Sequence, residues 1–119
     1  MFRILSTLCF TLTTYLIIAQ TLVPIDSVST HMGQHIKICD KVTDAFKPAG
    51  DNKMTYINFG GKYPNNTFTV VIFASDLPNF PFAPADHYKN QKVCVTGMAA
   101  EYKGKPQIVA RFPDQIEIQ

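Results

Sequence analysis

Residues 92–111, KVCVTGMAAEYKGKPQIVAR, hold two runs of strand-like alternation separated by Tyr102-Lys103-Gly104-Lys105-Pro106. In the first run Val93, Val95 and Gly97 share one face while Cys94 and Thr96 share the other, the two-residue period of a half-buried strand. The second run starts at Gln107, because Pro106 has no N–H to give to a ladder. Gly104 tolerates positive φ at no steric cost, so the residues between the runs predict a hairpin loop carrying two lysines. A chain built around such a hairpin is committed to a sheet.

The 119 residues are 46% hydrophobic and 17% charged, which predicts one small globular domain. The first 19 residues stand apart from it. Arg3 precedes an apolar run, 4–18, whose polar members carry only hydroxyls or a thiol, and the small residue Ala19 follows. This is the pattern of a secretory signal peptide cut after Ala19, leaving 20–119 as the mature domain outside the cytoplasm. The competing reading is an uncleaved anchor, against which the run is short for a bilayer span of about 20 residues. The formal charge of +2 falls to +1 without Arg3, so no general basic field draws the domain to polyanions. Nucleic-acid affinity then needs a local patch.

Cys9 leaves with the leader, and Cys39 and Cys94 remain. An even pair in an exported chain points to a disulfide, with two unpaired packed thiols as the alternative. Both lie out of phase with the inward residues Ile36, Ile38, Val93 and Val95 and therefore face the same way. Pairing would close a loop of about 55 residues, for which chain entropy suggests about 4 kcal/mol.

Along 20–119, Asp26 reads as the N-cap of a short helix stopped by Gly33. A first strand is expected at 35–43 with Ile36, Ile38 and Val42 inward and Asp40 an awkward member of that set. A turn-rich KPAGDNK loop leads to a second strand at 54–59, with Ile57 and Phe59 inward and Tyr56 and Asn58 outward. The third, 67–74, alternates most strongly: Phe68, Val70 and Ile72 on one face, Thr69, Val71 and Phe73 on the other. Pro78, Pro81 and Pro84 then forbid a long helix. What fits is a connector with one helical turn near 84–89, whose Phe80, Phe82 and Tyr88 plug an open barrel end. The fourth and fifth strands are the two arms of the hairpin, and Ile116 and Ile118 extend the last strand.

Five strands, a helical connector between the third and fourth, and a final hairpin predict an all-β, five-stranded Greek-key OB-fold barrel with a short N-terminal helix. The pieces HMGQHIKICDKV, YINFGGKYPNNTFTVVI, YKNQKVCVTGMAAEYKGKPQIV and PDQI resemble the small OB-fold nucleic-acid-binding modules of exported bacterial proteins, some of them joined to nuclease or helix-hairpin-helix domains. The resemblance covers residues 31–117. It implies that the first and fourth strands are antiparallel neighbours, which would bring Cys39 and Cys94 together.

If the domain takes single strands, bases need aromatic faces and phosphates need cations. The outward residues of strands two and three, Tyr56, Asn58, Thr69, Val71 and Phe73, supply a platform, and Lys53, Lys62, Lys103, Lys105 and Arg111 could rim it together with the loops at 44–53 and 101–106. Each also has a structural reading: the rings cover the sheet and the lysines solubilise loop tips. Tyr63 is expected to pack at the Gly60-Gly61 turn and Tyr102 to brace the hairpin. The partner classes are single-stranded DNA or RNA, a small solute or glycan on the same face, or another protein or second copy of the chain. No cofactor, metal or catalysis is expected. His31, His35 and His87 lack ligand spacing, and Gly60-Gly61-Lys62 lacks the phosphate-loop pattern. Asn65-Asn66-Thr67 meets the glycosylation sequon but reads as a turn.

Overall fold

The computed structural model describes residues 6–14 and 21–119. Residues 6–14 are exposed without regular structure; the rest of the expected leader, with its cleavage point, lies outside the described residues. Among the described residues no helix is long and apolar enough to cross a membrane.

The strands in chain order are β1 (Thr21–Leu22), β2 (His35–Phe46), β3 (Thr55–Phe59), β4 (Phe68–Ile72), β5 (Lys92–Met98), β6 (Ala100–Tyr102), β7 (Lys105–Val109) and β8 (Ile116–Ile118). A 3₁₀ helix at Ile25–His31 precedes β2. The β4–β5 connector carries another at Ala74–Asn79 and then α1 (Pro84–Tyr88). The chain is mostly strand, as expected, yet its hydrogen bonding is not that of a five-stranded closed barrel. Eight strands form one open mixed sheet in the order β6-β7-β4-β3-β2-β5-β8, with β1 beside β2.

The sheet curls because β2 serves two partners. Residues His35 to Lys41 pair antiparallel with β5, and residues Val42 to Phe46 pair antiparallel with β3. The register shifts between Val42 and Asp44, and this bulge turns the strand. Thr43 is fixed there: its hydroxyl meets the Asn58 carbonyl at 3.0 Å and the Gly61 carbonyl at 2.7 Å. The inward phase moves with the bulge, from Ile36, Ile38 and Val42 to Ala45. Asp40 keeps the inward parity but is half-buried, with its carboxylate accepting the Lys41 N–H at 2.7 Å.

The expected inward residues of the other strands also form the core: Ile57, Phe59, Phe68, Val70, Ile72, Val93 and Val95 are fully buried, and Ile108 of β7 joins them. The connector closes one end, with Phe80 and Tyr88 buried and Phe82 packed against the core. The far side of the curl depends on Gly97. A Cβ there would sit 2.6 Å from Ile108 Cγ2, so glycine lets β5 lie against β7 without a hydrogen-bonded ladder between them.

Several expectations are corrected. The arms of the hairpin are β6 and β7, not β5 and β7. Ala99 accepts the Gly33 N–H at 2.7 Å and donates to the Gln34 carbonyl at 2.9 Å, and beyond that anchor the chain changes partner from β2 to β7. Pro106 lies inside β7 opposite Glu101, next to the hydrogen-bonded Tyr102–Lys105 pair. The Glu101–Pro106 pair beside it exchanges no N–H across the hairpin, so proline removes no bond to β6. The C-terminal segment pairs with β5, not with the last strand of the hairpin: Val95 faces Ile116. Phe73 falls just past β4, and the first helix is capped by Pro24 without a side-chain bond from Asp26.

Cys39 and Cys94 are direct cross-strand partners in β2 and β5, joined as a disulfide with Cα atoms 4.0 Å apart.

Candidate functional site

On the outward side of β3, β4 and β7, the registers line residues up in two rows. Phe46, Tyr56, Val71 and Val109 form one, and Asp44, Asn58, Thr69 and Gln107 form the other. An aromatic row thus runs beside a polar one. Two loops rise around them, the β3–β4 loop with Tyr63 and Pro64 and the β6–β7 turn with Tyr102 and Lys103, enclosing a cleft of about 530 Å³.

Phe46 and Tyr56 are stacked with centroids 5.2 Å apart at 27°, and Tyr63 meets Phe46 edge-on at 6.2 Å. Tyr63 and Tyr102 remain exposed. Lys105 Nζ lies 5.9 Å from the Tyr63 centroid and donates to the Pro64 carbonyl, tying the hairpin to the β3–β4 loop. Lys103 Nζ lies 5.4 Å over Tyr102. Lys103 and Gly104 have φ of 48° and 76°, the doubly left-handed pair of a two-residue hairpin turn, which holds Lys103 at the rim.

The floor is a directed hydrogen-bond network. Asn66 Nδ2 donates to the Phe68 carbonyl at 3.3 Å, to Thr69 Oγ1 at 2.6 Å and to Asn58 Oδ1 at 3.2 Å. Thr69 Oγ1 in turn donates to Asn58 Oδ1 at 2.8 Å. The Phe68 carbonyl can only accept, so it fixes the Asn66 amide, and the direct bond from Asn66 Nδ2 to Asn58 Oδ1 then fixes the Asn58 amide, in one orientation. Asn58 Nδ2 and Asn66 Oδ1 are then left without a partner among the described residues, in side chains only 1% and 6% exposed. A buried donor and acceptor of this kind cost about 1–3 kcal/mol each until something pairs with them.

Of the residues singled out in the sequence, the cleft gathers Tyr56, Asn58, Thr69, Val71, Lys103 and Lys105. Lys53 and Lys62 sit on exposed loops outside its lining. Phe73 and Arg111 stand at the other end of β4 and β7, where the Arg111 carbonyl accepts Asn79 Nδ2 at 2.9 Å. Sequence reasoning missed Phe46, Asn66 and Gln107 as cleft residues. It placed Tyr63 and Tyr102 only as turn packing. Phe46 was concealed by the bulge, which moves it onto the face of Tyr56. The run of Asn66 and Thr69 around β4 was the available signal for the polar floor. Among the described residues no cluster of histidine, cysteine or carboxylates could hold a metal ion.

No protein-family profile and no curated protein sequence matches this chain. A crystal structure assigned as an aspartyl-tRNA synthetase from Leishmania major Friedlin is similar, with a TM-score of 0.53 and 14% identity over 89% of this chain and 21% of that one. The likeness is one of fold. It accords with an OB-like course of the strands, and this chain spans about a fifth of that protein's length.

Proposed function

We propose that this chain is an exported OB-type binding module that takes single-stranded nucleic acid weakly in the cleft between Tyr56, Asn58, Thr69 and the β6–β7 turn. The observation that carries the reading is the aromatic row lying directly beside a floor with an unpartnered donor and acceptor. A base uses both at once: its face stacks on a ring, worth about 1–3 kcal/mol, while its edge offers hydrogen bonds. The course of β2 to β5 and β7, with β4 parallel to β7 and β5 against β7 at Gly97, supports reading the curled sheet as an OB barrel. The likeness in fold to a protein assigned as a tRNA synthetase favours a nucleic-acid ligand. The disulfide supports an oxidising, extracytoplasmic location. The activity is binding; no catalytic step is assigned.

A second reading has its own observation. Both rim lysines already lie over tyrosines, and the chain's formal charge is only +2, so the cleft also suits a neutral ring such as a sugar, stacked on an aromatic and held by amides. Titration of the protein's tyrosine fluorescence with oligothymidylate at two salt concentrations separates them. Two phosphate contacts give a log–log salt slope of about −1.4, and Lys103→Ala lowers its magnitude by about 0.7. Saturable binding of an oligosaccharide with no response to the oligonucleotide would replace the first reading with the second.

A further inference from the structure

A second concavity, of about 540 Å³, opens on the other side of Phe46. Its wall runs from Phe46 and Lys47 past Thr55 at the start of β3 to Leu77, Phe82 and Asp86 of the connector. Phe46 therefore lines both clefts.

Two observations beyond its shape point to a ligand. The Thr55 side chain is fully buried, yet its hydroxyl has no hydrogen-bond partner among the described residues. Phe82, in the wall of this concavity, is half-buried and stacked on exposed His87 at 3.7 Å and 18°, a second pair of flat rings. We propose that a strand bound in the first cleft crosses Phe46 and continues into the second, with a further base against Phe82, an acceptor on that base meeting the Thr55 hydroxyl, and its phosphate on the Lys47 side. The inference rests on the reading of the first cleft and extends its footprint.

The charges along this path set the direction of the test. Lys47 is exposed and donates to the Gly50 carbonyl at 3.0 Å, which leaves further N–H groups for a phosphate. Asp86 is also exposed and is the carboxylate of this cleft, so it opposes a polyanion.

The experiment is fluorescence anisotropy of end-labelled oligothymidylates of about three and about ten nucleotides, a pair that brackets the short end of OB-domain site sizes. The full chain should bind the longer one about tenfold more tightly, as one added stacked base provides. Phe82→Ala and Lys47→Glu should cut that advantage to about twofold, and Asp86→Lys should tighten the longer ligand more than the shorter. Phe82 packs against the core, whereas Lys47 and Asp86 are exposed, so the charge variants decide the matter even if Phe82→Ala folds poorly. The extension is overturned if none of the three changes the ratio between lengths while Tyr56→Ala weakens both; the strand then stops at Phe46. Wild-type protein that binds neither oligonucleotide overturns the reading of the first cleft and the extension with it.

Discussion

The Tyr88 side chain is 1% exposed, its hydroxyl donates to the Ile116 carbonyl at 3.0 Å, and burial pushes its pKa from 10.0 up to about 12. The folded protein holds this proton more tightly than the unfolded chain. Its contribution to stability is therefore complete below pH 10 and is lost as pH rises toward 12, by about 3 kcal/mol at about 1.4 kcal/mol per unit. Urea unfolding at several pH values, with Tyr88→Phe for comparison, checks this. The variant should be about 1 kcal/mol less stable than wild type near neutrality, having lost one hydrogen bond, and the gap should close and reverse above pH 10. A gap independent of pH would contradict it. Gly97 gives a second test at this scale. Gly97→Ala pushes a methyl into Ile108 where β5 and β7 meet and should cost about 1–3 kcal/mol in the same assay. A neutral result would mean that the two strands are not held in that approach.

At the scale of elements, the disulfide ties the centre of β2 to the centre of β5, the pair from which the curl departs on both sides. Reduction, or paired Cys39→Ser and Cys94→Ser, should lower stability by about 2–4 kcal/mol in denaturant. An unchanged midpoint would show that packing alone holds the β2–β5 ladder. How far such features could be read from the chain depends on whether they are local. Alternation in 36–42, 68–72 and 93–95 identified the inward residues and put the two cysteines on one face, because a strand's side chains follow its own period. The bulge after Val42 was not legible. It arises from Thr43 bonding to the Asn58 and Gly61 carbonyls, partners distant in sequence. Nor was the change of partner at Ala99, which depends on Gly33 and Gln34, or the pairing of Ile116 with Val95. The last two add strands to a picture that alternation limits to five.

At the scale of the molecule, the fold arranges chemistry that no single segment holds. Phe46 comes from the end of β2, Tyr56 and Asn58 from β3, Asn66 and Thr69 from around β4, and Lys103 from a turn whose other strand runs parallel to β4. The sequence supplied the central platform, Tyr56, Asn58 and Thr69, since strand parity projects them outward together. It could not separate Lys103 and Lys105, which the hairpin brings to the cleft, from Lys53, Lys62 and Arg111, which stand elsewhere. Those distinctions are tertiary. The most direct test of the central claim is amide chemical-shift mapping of the labelled full chain during titration with oligothymidylate. The account predicts saturable shifts centred on Tyr56, Asn58, Thr69 and Gln107, with Lys103 at their margin. Shifts confined to the opposite end of the sheet around Phe73 and Arg111, or no shifts at low salt, would contradict it.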